Sequence, residues 1–269
     1  MGEVDQPEEP LFHLSLNDSE PTTIVLLHGV LGSSTEWALV VPLLKGYHLL
    51  IPDLPGHSRS SAIGPVDTPS QADRVATLIK AQAHGGRAHV VGMSMGGHVT
   101  CQLAARHPDV VSTAFVTGAA PFKGFGRWLA SHPTVIWYIV SFLLKWLPNW
   151  LFHRLALAQG MKPAPELADE MRANLRWETL RDAFASGTRF SLDDVAQIQV
   201  PRVLAVCGGK GDDVDSTREM GLALQGEKCK AVVVRNGVHS WHLQLPDLFA
   251  EGVLAWIQEI PLPSKFEEL

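Results

Sequence analysis

Cysteine is scarce in this chain of 269 residues: only Cys101, Cys207 and Cys229 occur. Three thiols so widely spaced exclude a disulfide framework and a cysteine-based zinc site, and they read instead as small core residues. Basic residues are also in deficit, with 22 Lys and Arg against 28 Asp and Glu and a formal net charge of -6. No broad positive field is available to hold a nucleic-acid backbone, and no RNA- or DNA-binding signature occurs, so nucleic acid is excluded as a partner. Long apolar runs are missing too. The run from Val135 to Leu144 is broken by Lys145, well short of the roughly 20 residues a spanning helix needs, so no stable membrane insertion is expected. GxGxxG and Walker patterns in their required context are absent, as is HExxH, so neither a nucleotide cofactor nor a metal is expected. The opening residues, "MGEVDQPEEP", are acidic rather than basic and then apolar, and Gln6 spoils a myristoylation pattern. The expectation is a cytoplasmic protein.

What is present is apolar and ordered by short runs. With 46% hydrophobic residues the chain can bury a sizeable core, and its length fits one large domain carrying an insertion. The segments "TIVLLH" (23–28), "YHLLIP" (47–52), "RAHVVG" (87–92), "VVSTAFVTG" (110–118), "PRVLAVCG" (201–208) and "KAVVVRN" (230–236) are apolar on both faces. Strands of that kind belong to a parallel sheet covered by helices on each side. Helical patterns fall between them near 34–44, 68–84, 95–107, 214–225 and 246–258, and "LFHLSLND" (11–18) suits an antiparallel edge strand. The fold class is α/β, mostly parallel, with no internal repeat.

From Ala119 to about Asp193 the alternation stops and the text reads as helices, a helical cap inserted before the last two strands. The division expected is a first core part at 1–118, the cap at 119–193 and a second core part at 194–269. Residues 119–160 hold four of the eight tryptophans, with Lys123, Arg127, Lys145 and Arg154 and no acid. Such aromatics either dock the insertion on the core or line an apolar substrate pocket, and a weak contact of the cap with a membrane surface is the third reading.

The chemistry begins at "VVGMSMGGHV" (90–99). Gly92-Met93-Ser94-Met95-Gly96 matches GxSxG where a strand ends and a helix begins, and glycines two positions either side of the serine relieve backbone collisions in so sharp a turn. A serine hydroxyl is a weak nucleophile unless a histidine takes its proton and a carboxylate orients that histidine. His239, in "GVHSWHLQLPDLF", follows the last expected strand, and Asp212 and Asp213, in "GKGDDVDS", follow the strand before it. Ser94, Asp212 and His239 thus lie past carboxyl ends of strands, in the chain order that accompanies this elbow.

These segments resemble the α/β-hydrolase superfamily, in particular its cap-bearing serine esterase, haloperoxidase-like and carbon-carbon-bond hydrolase branch. "IVLLHGVLGSSTEW" is similar to its oxyanion loop, "IPDLPGHSRS" to the turn after its next strand, and "IQVPRVLAVCGGKGDD" to its acid-bearing strand and loop. The resemblance implies Ser94 as nucleophile and His239 as general base. Its usual spacing of glycine, two residues and aspartate fits Asp212 after Gly209, while Asp213 fits a loop one residue longer; "VTGAAPF" offers no acid in the alternative place. The implied oxyanion hole is the backbone N–H of Met95 and of Val30. His28 supports that loop or borders the substrate pocket, with Trp128, Trp137 and Trp241 as further pocket candidates, and Trp241 reads equally as a packing anchor. His239 and His242 stand three apart, but no HExxH or acidic partner accompanies them, so they do not suggest a metal, and His242 is expected to pack in the loop.

The activity implied is hydrolysis of an ester, thioester or lactone of a hydrophobic small molecule. The alternatives are carbon-carbon-bond hydrolysis of a diketone by the same triad, or a non-catalytic ligand-binding protein on the same fold.

Overall fold

The computed structural model describes residues 9–269; Met1–Glu8, most of the acidic opening stretch, lies outside the described residues. Eight strands form one sheet in the order β1-β3-β2-β4-β5-β6-β7-β8. They are β1 (His13–Leu16), β2 (Thr23–Leu27), β3 (His48–Pro52), β4 (Ala88–Met93), β5 (Val111–Thr117), β6 (Val203–Gly208), β7 (Lys230–Val234) and β8 (Phe266–Glu268). The six inner strands are parallel, and β1 and β8 pair antiparallel at the two edges.

Alternation along the inner strands builds two cores at once. Val25 and Leu27 of β2, Val90 of β4 and Ala205 of β6 enter one apolar cluster, while Ile24, Leu26, Val91 and Val206 enter the other. Helices α1 (Thr68–Gln82), α2 (Met95–Arg106) and α9 (Val214–Ala223) cover the first face, and α11 (Pro246–Gln258) covers the second. A short helix, α10 (Trp241–Gln244), leads into α11. Burial on both sides explains why these strands carry so little polarity.

Two expectations are corrected. The region 34–44 forms only short 3-10 turns, Ser34–Trp37 and Val41–Leu43; Pro42 cannot donate a helical hydrogen bond, and the Ser34 amide is taken by Asp53 Oδ1 at 2.8 Å. Three strands, not two, follow the insertion. β8 reads "FEE", too short and too charged for a strand pattern, and it is held by Phe266 packing into the second core.

Between β5 and β6 lie α3 (Gly124–Ala130), α4 (Pro133–Ser141), a π-helical turn (Phe142–Trp146), α5 (Asn149–Ala158), α6 (Pro165–Asn174), α7 (Trp177–Arg189) and α8 (Leu192–Ala196). The helical stretch therefore runs to Ala196, and its far end merges with the core: Ala183, Phe190 and Val195 sit in the same buried cluster as β2 and α1. Among the described residues no single helix is long and apolar enough to cross a membrane.

Candidate active site

Ser94 stands alone between Met93, the last residue of β4, and Met95, the first of α2, at φ 53 and ψ -116. That left-handed φ is costly for a residue with a side chain and is held only because the surroundings determine it. A Cβ on Gly92 would come within 2.2 Å of Gly96 O, and one on Gly96 within 2.2 Å of Leu27 O, so the bend tolerates nothing larger at either position. The Ser94 amide is fixed on Thr117 O at 2.9 Å.

His239 lies at that same end of β5. Its ring packs over Gly118 so closely that a Cβ there would meet Cε1 at 2.8 Å. Nδ1 of His239 is 2.5 Å from Asp212 Oδ1, while Asp212 Oδ2 accepts from the Gly208 amide at 2.7 Å. Asp213 is turned away: its carboxylate accepts from Ser216 N at 2.9 Å and caps α9. The structure thus brings Asp212, and not Asp213, to His239. Burial alone would pull His239 down, but the hydrogen bond and charge of Asp212, with a further contribution from Glu36, carry its pKa above the ordinary value.

Val30 and Met95 both line the cleft at Ser94, and the backbone N–H of neither donates a hydrogen bond among the described residues. The loop carrying Val30 is rigidly tied. Gly29 N donates to Glu36 Oε2 at 3.0 Å, and Gly32 N donates to Gly29 O at 3.1 Å. Nε2 of His28 accepts from Leu54 N at 2.9 Å, which leaves the proton on Nδ1 to donate to Gly29 O at 2.8 Å. His28 is fully buried with its pKa lowered by that burial; it is a brace beneath the loop and does not line the cleft.

The cleft itself is small, about 30 Å³, and its walls include Met95, His98, Phe122, Phe184 and Gly187. His98 is buried to a pKa of about 4, and its Nε2 finds no partner among the described residues. Beyond His239 a larger chamber of about 400 Å³ is lined by Phe152, Leu157, Met161, Leu167, Met171 and Ser240. The tryptophans named from the sequence are elsewhere. Trp128 is half exposed, stacked between Phe125 and His132, and Trp137 packs edge-on against Trp177 at 5.8 Å within the insertion. Trp241 is fully buried against Phe249 and donates to Thr117 Oγ1 at 2.8 Å. It anchors the histidine loop and forms no pocket rim.

Two residues that sequence reasoning missed hold the loops in place. Glu36 is buried, and the acidic partner that the segment around His242 lacks is this carboxylate: Oε1 lies 3.2 Å from His242 Nε2, off the line of a good hydrogen bond but within ion-pair range. Burial works against its charge, yet His242 and the Gly29 amide keep its pKa below the usual carboxylate value. Asn174, at the end of α6, donates to Leu31 O at 3.1 Å and Gly32 O at 2.9 Å and accepts from Ser58 N at 2.7 Å. In sequence it reads as an ordinary helix stop.

Known proteins resemble this chain in sequence and in fold. The alpha/beta hydrolase family profile matches residues 24–252. An AB hydrolase superfamily protein of Gibberella zeae is 31% identical over 280 residues, covering 98% of this chain and 89% of the relative. Lipase 3 of Moraxella sp. is 33% identical over 105 residues, a stretch spanning 38% of this chain and 33% of the lipase. The fold of a thermophilic esterase from Thermogutta terrifontis matches with a TM-score of 0.69 at 17% identity, over 93% of each chain. The chain belongs to the alpha/beta hydrolase family.

Proposed function

We propose that the protein is a serine hydrolase acting on an ester, thioester or lactone of a hydrophobic small molecule. The observation that carries this reading is the Asp212–His239 pair packed on Gly118, at the same end of β5 where Thr117 O holds the amide of a serine in a left-handed turn. Ser94 Oγ attacks the carbonyl carbon as its proton passes to His239 Nε2, and Asp212 holds the imidazole in the tautomer that can accept it. The carbonyl oxygen becomes an oxyanion that accepts from Val30 N–H and Met95 N–H, two donors with no competing partner, and Met95 adds the positive end of α2. Collapse breaks the bond to the leaving group, which takes the proton from His239. Water, deprotonated by the same histidine, then releases the acid and restores Ser94.

The hydrophobic substrate follows from the walls. The chamber of about 400 Å³ beside Ser240 is lined mostly by apolar side chains, with His153 and Lys162 among them, the composition of a small-molecule site.

Ser94→Ala and a fluorophosphonate probe test the reading. Wild-type protein is expected to label at Ser94 and to hydrolyse p-nitrophenyl esters, with the variant losing at least about 10³-fold in kcat. Hydrolysis at near wild-type rate in Ser94→Ala overturns it. Matched ester and diketone substrates decide the bond: carboxylic acid from the ester alone is expected, and cleavage of the diketone alone would reassign the reaction.

A further inference from the structure

We propose that the first half of the insertion docks the protein on an anionic phospholipid surface. The argument starts from α4 and the π-helical turn after it. One row of side chains, Ile136, Val140 and Leu144, faces inward and packs with Leu31, Leu175 and Leu180. Two rows face outward, Val135, Ile139 and Leu143 beside Tyr138, Phe142 and Trp146, and all six are exposed. A surface helix ordinarily sets polar residues opposite its buried stripe, whereas this one is apolar all round.

The exposure is concentrated. Of fourteen large apolar side chains that stand out to solvent among the described residues, eleven fall between Phe125 and Leu157. Trp146 is 77% exposed, Phe125 74% and Tyr138 70%. Isolated apolar residues on a surface are common, but a patch this continuous marks a surface that meets something apolar. Its rings are those that favour the boundary between hydrocarbon and headgroup.

Charge selects the occupant. Residues 119–160 contain no acid, and Arg127, Lys145 and Arg154 are exposed and form no ion pair among the described residues. Lys123 is paired with Glu219, and Lys145 lies over the Trp137 ring, 5.5 Å from its centroid, a contact that leaves its charge unneutralised. A second copy seated symmetrically on this face would set cations against cations with nothing to neutralise them. Anionic headgroups complement the pattern, with cations at their level and rings below.

Shape fits a helix pair lying flat. Pro133–Trp146 bends by 112° into Asn149–Ala158, and neither arm approaches the roughly 30 Å of a hydrocarbon core. On α5, Trp150 and Arg154 are exposed while Phe152 and Ala156 line the chamber of about 400 Å³. The lipid-facing surface and the chamber therefore share one helix, with Leu157 at their boundary, exposed and lining the chamber. Docking does not depend on the hydrolytic reading and is measured without it.

The test is flotation of the full chain with vesicles of phosphatidylcholine alone, or of phosphatidylcholine and phosphatidylserine at about 3:1. Wild-type protein should partition several-fold more strongly onto the anionic vesicles, with a blue shift in tryptophan emission. Lys145→Gln with Arg154→Gln should cost on the order of 20-fold, at roughly fivefold per cation, and added salt should mimic it. Trp146→Ser with Trp150→Ser should reduce partition at least tenfold, circular dichroism confirming that the variants fold. No partition of the wild type onto either vesicle overturns the proposal, as does partition indifferent to both variants. A dimer in sedimentation velocity that Trp146→Ser and Trp150→Ser dissociate also overturns it, because a second copy would then be the occupant.

Discussion

Acidification is the perturbation whose cost follows most directly from the buried histidines. His57 and His98 are 0% and 5% exposed, and burial holds their pKa values at about 3 and about 4. In the unfolded chain both return to about 6.5. As pH falls below that value the unfolded chain takes up protons that the folded protein refuses until pH nears 3 to 4. Stability present above pH 6.5 is therefore lost progressively on the way down. A drop to about pH 5 crosses roughly 1.5 pH units of this window at about 1.4 kcal/mol per unit, hence about 2 kcal/mol per histidine and about 4 kcal/mol for the pair. That is a large share of a typical stability of roughly 5–15 kcal/mol. His239 works in the opposite sense, because its pKa is raised and the folded state gains as it protonates. A comparison of wild type with His57→Phe isolates one site. Urea unfolding followed by tryptophan fluorescence at about pH 7 and about pH 5 should show the variant with about 2 kcal/mol less pH dependence. Its stability at neutral pH should also fall, since the bond from Nδ1 to Pro55 O is lost. An unchanged pH dependence in His57→Phe would refute the reasoning.

Catalysis should have its own pH signature. His239 must be neutral to accept a proton, so with its pKa raised the acid limb of kcat/KM should lie above pH 6.5. Asp212→Asn should lower kcat on the order of 10⁴-fold and move that limb down, burial then being opposed only by the charge of Glu36; an unmoved limb would separate Asp212 from the base. Glu36→Ala leaves the Gly29 amide and His242 without their carboxylate, and kcat should fall about tenfold or more while KM changes little, since the loop carrying Val30 loosens. Loss only in KM would place Glu36 outside the oxyanion loop's support. Asn174→Ala strips partners from Leu31 O, Gly32 O and Ser58 N, a cost of about 2–4 kcal/mol in denaturant unfolding; a change below about 0.5 kcal/mol would show that water replaces them.

The sheet was legible because a strand buried on both faces announces itself: β2 as "TIVLL" and β6 as "VLAVCG" admit no polar alternation. β8 was not, since its placement depends on one phenylalanine finding the second core. Ser94, Asp212 and His239 could be named because local rules fix them, a serine between glycines and groups in loops just past strands. The choice between Asp212 and Asp213 needed coordinates. Both follow the same glycine-rich turn, and only the start of α9 decides which carboxylate becomes a helix cap. The wall of the cleft was left open between two readings for a related reason. Tryptophan promises apolar area but no direction, and Trp241 spends its area on the core while Phe122 and Phe184 face Ser94.

Glu36 and Asn174 show why the supporting layer escapes a sequence reading altogether. Each acts across a long separation, Glu36 on a histidine beyond the last parallel strand and Asn174 on a loop 142 and 143 residues earlier. Neither has a local pattern, because a buried carboxylate or amide is defined by the groups it satisfies and those groups come from elsewhere in the chain. Their positions also divide the insertion by mechanism. Its second half is fastened to the core by Asn174, by Thr179 on Gly56 O and by Ser186 on Thr68 N. Among the described residues its first half is tied by Lys123 on Glu219 and otherwise holds on through apolar contact. Substitutions in α6 and α7 should therefore be felt at Val30 and in kcat. Those on the outward rows of α4 and α5 should leave the reacting groups undisturbed, so the two halves can change independently of one another.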